Sequence, residues 1–197
     1  MDAQKFTQKS LEAIQEAQSI AIENQNAQIE EEHLLLALLN QEDSLIKELL
    51  KKMNIPQEFE KELNDKIEGL PKMTGGARQA NSIYVSQDVD QVLTNSEKIA
   101  NKMKDEYISV EHIMLSIIDN ADSYLKNLFK KYRLTKNEFL KALESVRGNT
   151  RVTSDNPEST YDVLKKYGQD LVELARQQKL DPVIGRDSEI RDVIIHA

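Results

Sequence analysis

The side chains that could do chemistry in this chain of 197 residues are few, and their spacing is informative. His33 and His112 invite a metal reading, but neither is followed by a second His at i+4, so the pair of ligands that a zinc-hydrolase helix presents on one face is absent. No Ser or Thr stands between the glycines of a nucleophile elbow. The run Glu30-Glu31-Glu32 reads as the solvated start of a helix, where the dipole favours carboxylates, rather than as an acid-base pair. No Gly-x-x-x-x-Gly-Lys-Ser/Thr loop is present to cradle phosphates. The expectation is therefore no catalytic residue, no metal site and no cofactor on this chain. Both histidines follow a glutamate, Glu32 and Glu111, and this matched placement is assigned to helix packing in a duplicated unit.

That duplication organises the chain. At an offset of 79 residues, Thr7-Gln8 lies over Ser86-Gln87, Ile20-Ala21 over Ile99-Ala100, Glu32-His33 over Glu111-His112, and Lys51-Lys52 over Lys130-Lys131. From Thr7 to Lys52 thirteen positions are identical without a gap, which predicts two copies of one unit related by a pseudo-twofold. Each copy reads as four short helices. Thr7 caps the first, which runs to about Asn24, and its partner starts at Ser86 with Val89, Val92, Leu93, Ser96, Ile99, Ala100 and Met103 along one face. The second spans Glu32 to Leu39, apolar all round and hence central, and Glu111 to Ile118, with Ser109 as its cap. The third carries Leu45 to Met53 and Tyr124 to Tyr132. The fourth begins at Pro56 and at Thr135-Lys136-Asn137-Glu138, which has capping-box spacing. Strand signals are scarce, so the fold class is all-α, with repeats over about 7–68 and 86–146.

Composition narrows the partners. Thirty-four acidic against 26 basic side chains give a net charge of -8, which argues against nucleic acid. No apolar stretch approaches the length that spans a membrane, and Met1-Asp2-Ala3-Gln4-Lys5 has no signal-peptide pattern. The absence of cysteine suits a reducing, cytoplasmic setting. Residues 147–158 are polar and carry Gly148 and Pro157, so they read as an interdomain linker, and 159–197 opens a further, incomplete unit. Removing Ser159 to Ala197 should accordingly leave the melting of residues 1–146 nearly unchanged.

The paired Glu-His-Leu and Glu-His-Ile units, then Val146-Arg147-Gly148, Asn156-Pro157-Glu158, Tyr167-Gly168-Gln169-Asp170-Leu171 and Leu180-Asp181-Pro182-Val183-Ile184-Gly185-Arg186-Asp187, closely resemble the Clp ATPase chaperones. The resemblance covers the whole chain, as amino-terminal domain, linker and the start of a first AAA+ module. It is strongest to the disaggregase branch, and it departs from the usual pattern at Gln178, Ser188 and Asp192. It implies a parent that is an ATP- and magnesium-dependent homohexamer threading aggregated polypeptide, with adaptors and an Hsp70-type system as further partners. Asp181, Pro182, Val183, Ile184, Gly185 and Arg186 would line part of its adenine pocket.

For this fragment, expected to be monomeric, the resemblance implies substrate recruitment. Two helical units packed face to face leave a seam at which apolar side chains meet solvent. Carried over position by position, Thr7, Ser86, Asp105 and Glu111 are the polar residues of that seam, Leu93 its apolar wall, and Glu32 the pseudo-twofold mate of Glu111. Two other readings stand beside this one. In the first, the same seam docks adaptors or charged degrons in a protease-coupled unfoldase, through Glu32 and Glu111. In the second, the chain is a passive helical spacer.

Overall fold

The computed structural model describes residues 2–73, 83–148 and 150–158. Among them lie a 3-10 turn, Ala3–Lys5, and eight α-helices: α1 (Gln8–Glu23), α2 (Glu31–Leu39), α3 (Leu45–Lys52), α4 (Glu58–Glu68), α5 (Gln87–Lys102), α6 (Val110–Asp119), α7 (Ser123–Lys131) and α8 (Lys136–Arg147). The all-α expectation holds. The described residues form no strand, only isolated bridges. The helices expected over 159–197, the residues Asp181 to Arg186, and Gly75-Gly76 lie outside the described residues.

The repeat is visible in the helix ends. Thr7 accepts the Ser10 N–H at the start of α1, and Ser86 accepts the Val89 N–H at the start of α5. Both cap residues are extended, so each side chain reaches a donor the first turn leaves unpaired. At the other end, Gln25 and Lys104 take φ of 58° and 61°, and Asn26 and Asp105 bond back to Ala21 and Ala100. Asn54 and Arg133 close α3 and α7 in the same way. These are left-handed C-caps made without glycine. α4 starts at Glu58, so Pro56 precedes the helix rather than opening it.

Burial explains the layout. Every residue of α2 is buried, and so is α6 from Val110 to Ile117; these two form the centre, with α1 laid on α2 and α5 on α6. One hydrophobic cluster runs through both copies, so the halves do touch. Each fully buried Leu, Ile or Phe contributes about 1.5–3 kcal/mol, so the shared core helps hold the repeats together, although packing is densest within each repeat, between α1 and α2 and between α5 and α6. On the far side Phe59 of α4 stacks on Phe129 of α7 at 6.1 Å, while Glu62 receives the Tyr132 hydroxyl and Lys131 and its main-chain carbonyl accepts from Tyr124.

On the near side each copy lends its leading residue to the other. Phe6 bridges Ile108, and Val85 bridges Ile29, each as a parallel pair. Thr7 N–H donates to the Ile108 carbonyl at 3.0 Å and Ser86 N–H to the Ile29 carbonyl at 2.9 Å, the same bond moved by 79 residues. The two first-helix caps therefore sit beside the second helices of the opposite copy, and this crossover is the seam.

Candidate functional site

The seam holds two related clusters. The first gathers Thr7, Asp105 and Glu111 around the start of α6. His112 closes that helix start: its Nδ1 accepts the Ser109 N–H at 2.9 Å, leaving the ring proton on Nε2 to be donated to Asp105 at 2.7 Å. The other Asp105 oxygen takes the Arg147 guanidinium and the Val152 N–H. Arg147 also reaches Glu111 at 3.3 Å and the Thr150 carbonyl at 2.8 Å. Burial alone would raise the Asp105 carboxyl, but the bonds from His112, Arg147 and the Val152 N–H outweigh it and hold it down at about 2.

Residues 150–158 complete this cluster, although the sequence reads them as linker. Val152 is fully buried. The Glu106 N–H donates to the Val152 carbonyl at 2.7 Å and the Gln8 N–H to the Asp155 carbonyl at 2.9 Å. The Glu158 carboxylate receives the Thr7 hydroxyl at 2.8 Å and the Val110 N–H at 3.2 Å. Burial and the nearby Glu111 carboxylate push Glu158 up to about 7, against the two donors. Arg147 is the last residue of α8 and buried, so the helix enters the stretch assigned to the linker.

The second cluster gathers Ser86 and Glu32 at the start of α2. His33 repeats the cap, accepting the Glu30 N–H at 2.8 Å and meeting Asn26, the mate of Asp105, at 2.8 Å. Burial pulls His33 down to about 4, so it is neutral. Where the first cluster has Arg147, the offset of 79 places Glu68. The result is an acidic cluster with no basic side chain paired to it among the described residues. Glu31 is raised to about 9 by burial and then by Asp122, Asp88 and Glu32, and Glu32 to about 8 by burial and Asp122. Both carboxyl groups are thereby held as neutral acids at pH 7. The Glu30-Glu31-Glu32 run is in this respect a correction: Glu31 and Glu32 are buried, not solvated.

All six expected recruiting residues are buried. Leu93 corrects the expectation of an apolar wall open to solvent: at 7% exposure it belongs to the common core, because the three-and-four spacing that marked the inner face of α5 includes it. The large apolar side chains that do meet solvent among the described residues are Tyr84 at 80%, with Val85 and Met73 at the margin; Tyr84 and Val85 lead into Ser86, and Met73 pairs with Gln25 next to Asn26. Sequence reasoning missed Arg147, Val152 and Glu158, because a short polar stretch has no period to read. One signal was available: the offset that maps Asn26 on Asp105 also maps Pro71–Met73, which pair with Gln25 and Asn26, on Thr150–Val152. Among the described residues no group of acidic and histidine side chains is arranged to hold a metal ion. No helix among the described residues is long and apolar enough to cross a membrane.

Comparison with known proteins agrees with this architecture. Residues 5–132 match the family described as Clp repeat (R) N-terminal domain. The chain is 44% identical over 195 residues to the chaperone protein ClpB of Bacillus cereus and 42% identical over 199 residues to that of Clostridium tetani, in each case using 98% of this chain. It spans about 22% of the length of those relatives. Among solved structures, the Hsp104 N-terminal domain of Candida albicans superposes with a TM-score of 0.68 at 26% identity, covering 78% of this chain and 99% of that one.

Proposed function

The chain belongs to the Clp repeat N-terminal domain family, and from that premise we propose that it is the recruiting domain of a ClpB-type disaggregase, holding extended segments of unfolded or aggregated polypeptide for an ATP-driven motor. One observation supports this above the others: the seam already holds a stretch of chain from outside the repeats, its own residues 152–158, through main-chain bonds at Glu106 and Gln8, a buried Val152 and a seated carboxyl group. Main-chain bonding at an edge takes many sequences, and one apolar pocket supplies a modest preference, which is the chemistry a general recruiter needs. Tyr84 and Val85 offer a second such edge, since Val85 is paired to Ile29 along one side.

Docking of charged degrons through Glu32 and Glu111 has less support. Glu111 is engaged by Arg147, and Glu32 is held as a neutral acid. In the parent, ATP, magnesium, hexamer formation and cooperation with other chaperones fall to residues beyond these repeats. Titrating the isotope-labelled chain with a permanently unfolded polypeptide tests the proposal. Shifts gathered at Thr7, Ser86, Asp105, Glu111 and Tyr84 are expected, and an unchanged spectrum at saturating polypeptide would sink it.

A further inference from the structure

We propose that residues 150–158 are an internal ligand of the seam, latched by the Glu158 carboxylate between the starts of α1 and α6, and that their release opens the recruiting surface. The regulatory half rests on the recruiting function proposed above; the latch does not.

The notch is built to hold a carboxyl oxygen. Thr7 accepts the Ser10 N–H as a cap and has one hydroxyl proton to donate, with Glu158 at 2.8 Å the nearer acceptor and the Ser10 hydroxyl at 3.0 Å the other, while Val110 is the first residue of α6, so its N–H has no partner within the helix. Two helix starts thus point one donor each at the same oxygen, Oε2 of Glu158, with partial positive charge behind both. Upstream, the segment is zipped to the domain by the Val152 N–H on Asp105, the Val152 carbonyl on Glu106 and the Asp155 carbonyl on Gln8. Val152 buries its side chain completely, and Arg147 holds the Thr150 carbonyl. A passive linker would show none of these features.

The latch is also made to let go. Glu158 Oε1 is buried with no hydrogen-bond partner among the described residues, which costs free energy as long as the segment stays docked. From α6 the acidic side chain of Glu111 faces it, with Arg147 of α8 and Asp105 behind; α1 contributes the uncharged Thr7 and Ser10. The free carboxyl titrates near 4.5 and the docked one near 7, so the docked form binds the proton more tightly. Docking is then strongest below about pH 4.5. It weakens by up to about tenfold per unit as pH rises to about 7 and levels off above that.

Amide exchange in the full chain tests this with Glu158→Ala and Glu158→Gln. The alanine variant should exchange about tenfold faster or more at Gln8, Glu106 and Val152, with Leu35 and Ile113 inside α2 and α6 unchanged as the control for folding. The glutamine variant should stay protected and lose the pH dependence between pH 5 and 8. Unfolded casein should bind the alanine variant several-fold more tightly than the parent. Unchanged exchange in the alanine variant, or a glutamine variant as pH-dependent as the parent, overturns the latch. Faster exchange with casein affinity unchanged or lowered overturns its role as a cover. Faster exchange with no casein bound to any form leaves the latch standing and removes the recruiting function instead.

Discussion

Replacing Arg147 with methionine removes the guanidinium that neutralises two buried carboxylates while keeping most of the buried stem. Asp105 and Glu111 are 5% and 0% exposed, and Arg147 gives each of them one bond and the Thr150 carbonyl a third. Removing one partner of a buried ion pair costs about 3–5 kcal/mol, because the remaining charge keeps its desolvation penalty. For a domain near 150 residues that corresponds to a fall in Tm of roughly 6–20 °C, at about 2–4 °C per kcal/mol. The pH dependence adds a second reading. Asp105 has a folded value of about 2 against 3.8 unfolded, so its ionised form stabilises the fold fully above about 3.8, and that contribution is lost as pH falls toward 2. Urea unfolding at pH 7 and pH 2.5 should therefore show a large difference between parent and variant at pH 7 and a smaller one at pH 2.5. Adding Asp105→Asn, which copies the Asn26 of the first repeat, should recover part of the loss. A loss below about 1 kcal/mol at pH 7, or one equal at both pH values, would refute the buried network as the anchor of this cluster.

Glu31→Gln should stabilise the chain by about 2–3 kcal/mol at pH 7, because a carboxyl raised from 4.5 to about 9 opposes folding increasingly as pH rises between those values; urea unfolding near pH 4 should show the gain nearly gone. Lys104→Gly should add about 1 kcal/mol by relieving a φ of 61° at the end of α5, and a decrease in Tm would mean that the lysine side chain contributes more than its backbone strain costs. Leu93→Ala should cost about 2–5 kcal/mol as a core truncation; a variant with parental stability but weakened polypeptide binding would restore Leu93 to the surface role expected from sequence.

Much of the fold was legible because its information is periodic. The apolar faces of α3, α5 and α7, the all-round apolar α2, the caps at Thr7, Ser86, Ser109 and Thr135, and the pseudo-twofold all follow from spacing or from the offset of 79. The paired histidines were placed correctly as structural, but their work as the closing member of two helix caps was not foreseen, since that position is ordinarily read for Glu or Gln. What could not be read was long-range pairing of polar groups. Arg147 is separated from Asp105 by 42 residues and Glu158 from Thr7 by 151, and nothing local in either stretch signals the contact. The same blindness made the seam look open: its polar residues were named, but not the chain segment that covers them.

That covering segment supplies the decisive measurement, since the account holds that the tail and an unfolded polypeptide use one surface. Amide exchange at Val152, the tail's own donor, followed in a single sample as saturating unfolded polypeptide is added, should accelerate because the client displaces residues 150–158, while Gln8 and Glu106 pair with the client instead. Polypeptide bound at saturation with the Val152 amide as protected as before would place the client elsewhere and contradict the shared surface.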